Sequence, residues 1–414
     1  MTARPGSPYR DALTLGLFAS ILSGAMIQGG LGALLPYMGR DMAMTHTLES
    51  LHITGLATGG LVASAVAEAA RRRLGRGRVL VLGAASVAAG STALALAPSP
   101  VLSAAAMLFV GFGLTSTLIA GQVLLAALHG VRGARMIGEL NVSYSVGALV
   151  ATAALPLVAA SVLGWRGFSA VPAVLVAAVV LPLVLVGVRR TATEATVAAS
   201  SSGGGGGGRA GLAPFVMVLC VVVEWGFLFW LATHLTSVAG LSTADASRAT
   251  AAMWVAVLVG RVAGARLLGL VRPGTLLAAS LVLGVVGTVA LSVVRTPGPA
   301  MATGVVAGLA AANLYAASIA FVIAADPERA DAAVARGSLL AAVALIAAPL
   351  GMGAVADVIG LRTAFAGLAA LATVGAFALL ALTRPATPRA PGAPVAPVAT
   401  VPAAAAAPHL EEEP

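Results

Sequence analysis

Residues 213–238 read APFVMVLCVVVEWGFLFWLATHLTSV, an apolar run in which Glu224 is the one residue that is an Asp, Glu, Lys or Arg. A helix of this length rises about 39 Å, which exceeds the roughly 30 Å hydrocarbon core of a bilayer. The run therefore predicts a transmembrane helix. A carboxyl group in the middle of such a helix costs about 2.5–3.5 kcal/mol on insertion scales, so Glu224 is a candidate functional residue.

Eleven further apolar runs have a similar length, and together they predict an all-α membrane protein with twelve transmembrane helices. The composition agrees, because 59% of the residues are hydrophobic and 9% are charged, values far from those of a soluble domain. We expect the spans near residues 12–37, 51–70, 79–98, 101–128, 137–162, 168–188, 213–238, 246–268, 274–294, 299–325, 335–356 and 362–383.

The net charge of +9 comes from 24 arginines and no lysine. In a soluble protein this charge would indicate a nucleic-acid partner. Here nineteen of the 24 arginines lie in or beside alternate loops, beginning with the N-terminal leader. The positive-inside rule then places both termini in the cytoplasm. We expect a multi-pass protein of the plasma membrane, namely a bacterial inner membrane, with the lipid bilayer and not nucleic acid as its partner.

The sequence contains no residue pattern that indicates an enzyme active site or a metal site. The chain has one cysteine, Cys220, which excludes an intramolecular disulfide and a multi-cysteine metal site. The spans contain no cluster of His, Asp or Ser at catalytic spacing. We therefore expect no enzyme activity, no cofactor and no metal.

A glycine-rich break divides the predicted spans into two sets of six. It contains six consecutive glycines at 203–208, a composition typical of a flexible linker. The predicted organisation is a cytoplasmic leader at 1–11, an N-terminal six-helix half at 12–188, a cytoplasmic linker at 189–212, a C-terminal six-helix half at 213–383 and a disordered cytoplasmic tail rich in proline and alanine at 384–414.

Short elements of the first half recur in the second half in the same order. Residues 154–157 (ALPL) recur as 347–350 (AAPL), 164–166 (GWR) as 360–362 (GLR), and the prolines of the turn 98–100 as those of 297–299. Three matches at nearly constant spacing indicate duplication. We therefore expect two pseudo-symmetric six-helix bundles with a solute site near the middle of the membrane.

Residues 12–383 resemble the major facilitator superfamily of transporters. The motifs that carry the resemblance are Arg73-Leu74-Gly75-Arg76 after the second span and the GWR element at 164–166. The resemblance implies alternating access, with Arg73, Gly75 and Arg76 in a cytoplasmic gate or loop. The family usually has an aspartate just before this arginine, whereas Arg72 stands there and the nearest acid is Glu68.

Within that superfamily, three stretches are most similar to the fucose-permease-like sugar transporters. They are Glu224-Trp225 with Trp230 in the seventh span, Gly260-Arg261 in the eighth, and Asn141 with Gly147-Ala148 and Pro156 in the fifth. The resemblance implies a sugar-like solute and proton coupling. The sugar symporters of this branch can carry acids in the first and fourth spans, and this chain has none there.

Glu224 shares one face of its predicted helix with Phe227, Trp230 and His234. We interpret Glu224 as a proton carrier or as an acceptor for solute hydroxyls, the alternative being a structural acid neutralised by an arginine. Aromatic rings cover the C–H faces of sugars, so Trp225, Phe227 and Trp230 are candidate solute contacts. Ordinary helix packing explains Phe227 and Trp230 equally well.

Other candidate solute-binding residues lie on spans that line the solute cavity in transporters of this superfamily. Buried amide and hydroxyl groups can bond to a neutral polar solute or between helices, and both interpretations stay open for Gln28, Gln122, Asn313 and Tyr315. Arg261 is expected about 9 Å nearer the cytoplasm than Glu224. A gate role for Arg261 is therefore favoured over a direct ion pair.

The sequence thus predicts a secondary transporter of a small polar solute, sugar-like and proton-coupled through Glu224, acting as a monomer. Two alternatives remain. One is a drug or metabolite exporter of the same superfamily, and the other is a membrane sensor that does not transport.

Overall fold

The structure is a computed structural model that describes residues 11–130, 133–191, 212–268, 270–325 and 330–383. These residues form fourteen α-helices and one π-helical turn, Val176–Val180. The helices are α1 Ala12–Gln28, α2 Leu31–Met42, α3 His46–Leu74, α4 Arg76–Leu96, α5 Pro100–His129, α6 Gly133–Ala159, α7 Gly164–Leu175, α8 Leu181–Thr191, α9 Ala213–Ser237, α10 Thr243–Leu267, α11 Pro273–Val293, α12 Pro297–Ala325, α13 Ala330–Ile359 and α14 Leu361–Thr383.

Twelve spans follow from these helices, as the sequence predicts. Within the described residues, eleven helices are long and apolar enough to cross a membrane, if α7, the π turn and α8 count as one. One more span completes the set of twelve. It is the first in the chain, and α1 and α2 form it together at an angle of 43°. We number the spans in chain order, so that α3 to α6 are the second to fifth spans and α9 to α14 the seventh to twelfth.

The first span differs from the continuous helix expected near residues 12–37. It bends at Gly29 and Gly30, where a Cβ atom on Gly29 would lie 2.2 Å from the Cβ atom of Ala148 on α6. Two residues without side chains allow this approach and weaken the helix, which explains the bend. Pro36 lies inside α2, which continues to Met42, because packing can compensate for its missing N–H group within a membrane protein.

Helix ends follow their local sequence. Ser99 accepts a hydrogen bond from the N–H group of Leu102 at 3.4 Å, and Pro100 occupies the first turn of α5, a position where its missing N–H group costs nothing. The preceding helix ends at Leu96. The turn at 98–100 thus joins the third and fourth spans as an antiparallel hairpin.

The two halves are pseudo-symmetric in detail. Gly164 and Gly360 both have positive φ, +57° and +90°, a conformation that favours glycine. Two residues later, Arg166 donates to the carbonyl oxygen of Ala97 at 3.0 Å. The equivalent Arg362 donates to the carbonyl oxygen of Ser292. Each arginine binds the end of the third span of its half, α4 or α11, so the repeated GWR and GLR elements have the same structural role.

The halves contact each other through α2 with α9, α3 with α13, and α6 with α10. Because successive spans alternate in direction, residues 12 and 383 lie at the same end of the bundle, the "termini end", and residues 43–45 lie at the opposite "far end". Near the far end, a Cβ atom on Gly32 of α2 would lie 2.4 Å from the Leu228 carbonyl oxygen on α9. The backbones of the two halves therefore touch in the far-end half of the bundle.

The predicted leader 1–11, linker 189–212 and tail 384–414 fall almost entirely outside the described residues. Their boundaries remain predictions, although α8 continues to Thr191.

Candidate functional site

The seventh span, α9, is the most enclosed helix of the candidate site. It contacts α2, α10, α12, α13 and α14, which leaves most of its side chains buried. Glu224 lies eleven residues after the start of α9 and is 6% exposed. A buried carboxylate needs a partner charge or hydrogen bonds, so its neighbours decide what it can do.

Glu224 lies beside Arg261 of α10. The Glu224 Oε1 atom is 3.7 Å from Arg261 Nη2, and Glu224 Oε2 has no hydrogen-bond partner among the described residues. The spacing along the sequence placed Arg261 nearer the termini end. Helical side chains tilt toward the helix N terminus, which for α10 is the far end, so the long Arg261 side chain reaches back to the depth of Glu224.

Arg261 also reaches the first half of the protein. Its Nη1 atom donates to Ser145 Oγ on α6 at 2.7 Å. Ser145 is buried, and no sequence pattern identifies it as a candidate. The guanidinium group therefore connects the acid of the second half to a hydroxyl group of the first half.

Two further donors on α10 bind the first half. Ser247 donates to the carbonyl oxygen of Thr152 at 2.8 Å, and Trp254 Nε1 donates to the carbonyl oxygen of Gly29 at 3.1 Å. Ser247, Trp254 and Arg261 are spaced by seven residues and so lie on one face of the helix. This seven-residue spacing of polar donors is the sequence signal that could have identified α10 as a contact between the halves.

The bend of the first span lies within this contact. Its Gly29 carbonyl oxygen accepts from Trp254 of the other half, as a backbone group at a break in a membrane helix requires. The ring of Tyr144 on α6 packs edge-on against Trp254 with centroids 6.1 Å apart. Gln28 is half-buried and directly precedes this bend. The candidate solute residue Gln28 is thus close to the contact between the halves.

The aromatic candidates of α9 have different surroundings, and Phe227 is separate from the cavity that Trp225 and Trp230 line. Trp225 is half-buried and packs on Phe229 with ring centroids 4.9 Å apart. Phe227 is fully buried in the core. Trp230 packs edge-on against His46 of α3, with centroids 6.0 Å apart. A small apolar cavity of about 10 Å³ lies between Trp225, Trp230 and residues of α3 and α13, too small for a solute.

His234 lies on the same face of α9 as Glu224 and Trp230, but its side chain contacts a different helix. Its ring is fully buried and packs against Phe365 of α14 with centroids 4.6 Å apart. The common face predicted for Glu224, Trp230 and His234 therefore contacts α10, α3 and α14 in turn, because α9 is surrounded by helices.

Asn313 and Tyr315 lie on α12 and differ in their surroundings. Asn313 Nδ2 donates to the carbonyl oxygen of Gly260 at 3.0 Å, and its Oδ1 atom fills the place where a Cβ atom on Gly264 would be. Asn313 thus bonds between helices, one of the two interpretations left open. Tyr315 is 45% exposed. Gln122 on α5 is half-buried.

The loop between α3 and α4 lies at the termini end and is rich in arginine. Gly75 joins α3 to α4 with φ of +77°, Arg73 is exposed and Arg76 is half-buried. Glu68 accepts from Arg71 Nε at 2.8 Å. The nearest acid therefore pairs within its own helix, and the gate role of Arg73, Gly75 and Arg76 remains a prediction.

In the part of the chain that the structure describes, no three His, Cys, Asp or Glu side chains form a metal site. Cys220 is a buried free thiol.

Comparisons with known proteins address the fold. The sequence matches the family model described as Major Facilitator Superfamily over residues 13–301. No curated protein matches the chain significantly.

Solved structures resemble the chain at low sequence identity. The xylose transporter XylE from E. coli, in an inward open conformation, has a TM-score of 0.72 at 12% identity over 90% of this chain and 95% of that one. The nucleoside transporter NupG has a TM-score of 0.70 at 15% identity over 90% and 100%. A bacterial homologue of the human lysosomal transporter Spinster, inward-facing and unoccupied, has a TM-score of 0.69 at 14% identity over 91% and 98%. At these identities the likeness establishes the fold.

Proposed function

Because the chain belongs to the major facilitator superfamily, it is a membrane transporter and not an enzyme, and we propose that it moves a small polar, sugar-like solute together with protons. The observation that carries this proposal is the connection from Glu224 through Arg261 to Ser145. One oxygen of the buried acid lies 3.7 Å from the guanidinium group, and that group bonds to the other half at 2.7 Å.

Coupling follows from where these three residues lie. In alternating access the two halves rock against each other around a central site, so the bond between Arg261 and Ser145 changes with the conformation. A carboxylate that loses its cation in a low-dielectric interior is costly unless it binds a proton or new hydrogen bonds. The charge state of Glu224 is thereby tied to the arrangement of the halves.

The polar and aromatic candidate residues suit a hydroxylated solute. Glu224 Oε2 has no partner in the described residues and can accept from a hydroxyl group. Gln28 and Gln122 are half-buried amides that both donate and accept. Trp225 is half-buried as well, and its ring can cover the C–H face of a sugar. The likeness to transporters of xylose and of nucleosides supports a solute of this chemistry.

The proposed orientation has both termini in the cytoplasm, as the arginine distribution predicts. The contacts between the halves near the far end then close the site to the outside. We further propose a monomer in a bacterial inner membrane. Membership of the fucose-permease-like branch remains a prediction.

The test begins with finding a solute. Thermal unfolding of the detergent-purified protein is measured with D-xylose, L-fucose, uridine and the lipophilic cation tetraphenylphosphonium, since a bound ligand raises the midpoint. We expect a sugar or nucleoside to stabilise the protein. Stabilisation by the lipophilic cation alone would instead favour a drug exporter.

Coupling is then tested in proteoliposomes with the stabilising solute. We expect Glu224→Gln to retain solute counterflow and to lose uphill accumulation driven by a proton gradient. The matched control is Glu139→Gln, because Glu139 pairs with Arg135 on its own helix at 3.1 Å. Uphill accumulation that survives Glu224→Gln would remove the carrier role. Binding without counterflow in the unmodified protein would favour a sensor.

A further inference from the structure

Asp357 near the end of α13 caps the N terminus of α3, which belongs to the other half. Its Oδ1 atom accepts from the His46 N–H group at 2.7 Å. Its Oδ2 atom accepts from the Thr47 N–H group at 2.9 Å and from the Thr47 hydroxyl group at 2.6 Å. All three hydrogen bonds cross the boundary between the halves at the far end.

Helix α3 needs this partner. The first N–H groups of a helix have no acceptor within the helix, and the positive end of the helix dipole favours an anion. Thr45 satisfies the Leu48 N–H group at 3.3 Å. The N–H groups of His46 and Thr47 are bound by the second half instead, so opening the far end exposes them.

Helix α13 packs closely on α3 beside Asp357, whose own side chain is exposed. Gly353 lies one turn earlier on the same face of α13, and a Cβ atom there would be 2.6 Å from the carbonyl oxygen of His46. Farther along, Thr54 Oγ1 donates to the carbonyl oxygen of Ile346 at 3.2 Å. The contact thus runs from the far end toward the middle. Beyond it, most residues of α3 from 62 to 74 are exposed.

Other acids at the far end bind within their own half. Asp41 on α2 accepts from Arg166 at 3.3 Å and from Trp165 at 3.1 Å. Asp245 on α10 accepts from Arg248 at 2.8 Å. These hydrogen bonds stay within one half, whereas those of Asp357 cross from one half to the other.

We propose that Asp357 is a positioning residue of the transport cycle. It closes the far end by capping α3 across the halves and releases α3 when the far end opens. Removing this cap shifts the protein toward the conformation that is open at the far end. The inference requires only that the halves move relative to each other, and it is independent of Glu224 and of the solute.

The experiment measures thiol accessibility at both ends. In a Cys220→Ala background, Thr233→Cys reports on the far end, because Thr233 is 2% exposed and lines a polar cleft of about 250 Å³ there. Asn141→Cys reports on the termini end, because Asn141 is exposed one turn before Ser145 on the same face. A polar maleimide probes each reporter in the detergent-purified full-length protein.

Asp357→Ala is expected to raise the labelling rate at the far-end reporter about five- to tenfold, the loss typical of removing a helix cap. It is expected to lower labelling at the termini-end reporter. Asp357→Asn should give a smaller shift in the same directions, because the amide keeps one acceptor oxygen. Asp245→Ala is the matched control and should leave both rates within about twofold.

Two results would overturn the proposal. One is that Asp357→Ala changes neither rate. The other is that it raises both rates together, which indicates a loosened fold and not a shift between conformations. If Asp357→Ala does not fold, Asp357→Asn and Thr47→Val decide the question by the same opposite changes at the two reporters.

Discussion

The first and seventh spans occupy equivalent places in the two pseudo-symmetric halves, yet their chemistry differs. The first span bends by 43° between α1 and α2 and carries the neutral amide Gln28 just before the bend. The seventh span is one unbroken helix, Ala213–Ser237, with the acid Glu224 near its middle. The two halves thus share one arrangement of helices, but the bend lies in the first half and the buried acid lies in the second.

Helix α10 joins these two unlike spans. Trp254 binds the carbonyl oxygen exposed at the bend of the first span, and Arg261 lies against the acid of the seventh. The two side chains are two turns apart on one face, so a movement of α10 affects both. The comparison therefore predicts that the stability of the protein depends most on backbone packing in the first span and most on charge in the seventh.

The largest effect is expected from adding a methyl group at the bend of the first span. In Gly29→Ala the new Cβ atom would lie 2.2 Å from Ala148 Cβ and 3.1 Å from its Cα atom, so backbone must move, at a cost of about 2–3 kcal/mol in the free energy of unfolding. In the seventh span, Gly226→Ala meets the flexible end of Leu368 and should cost less than about 1 kcal/mol. Denaturant titration in mixed micelles measures both. Equal losses would contradict the contrast.

A smaller loss is expected from removing the cation beside the acid. Arg261→Ala leaves Glu224 buried without its counter-charge, and we expect a loss of about 1–2 kcal/mol because the Arg261 side chain is 31% exposed. The double variant with Glu224→Gln should regain most of this loss. The same titration provides the double-mutant cycle. Additive losses would show that the two side chains do not interact.

The smallest effect is expected at Gln28. Gln28→Ala should weaken binding of the stabilising solute about fivefold, the value of one hydrogen bond to a neutral group, and leave proton coupling unchanged. Isothermal titration calorimetry measures the affinity. Loss of coupling in Gln28→Ala would place part of the proton pathway in the first half.

Much of the fold could be predicted from the sequence. Helix length, apolar composition and the recurring GWR and GLR elements determine twelve spans in two halves, and these signals are local or periodic. The bend at Gly29 was missed because it depends on the contact with Ala148, 119 positions away in the chain. A glycine pair alone does not specify a bend.

The site was predictable only in part. Glu224 was evident as an acid in an apolar run, whereas Ser145 and Trp254 were missed because their importance depends on contacts between helices of different halves. The predicted depth of Arg261 relative to Glu224 was wrong for its guanidinium group. Rise per residue locates the backbone, and the long side chain of Arg261 extends from there toward Glu224. Asp357 was missed for a related reason, because its role depends on the N terminus of α3.

The most direct test of the coupling role of Glu224 is solute-driven proton movement. Proteoliposomes containing a pH-sensitive dye receive the stabilising solute without an imposed gradient, and the internal pH is recorded. The account predicts a solute-dependent pH change for the unmodified protein and none for Glu224→Gln, although Glu224→Gln still exchanges solute. An equal pH change in both proteins would contradict it.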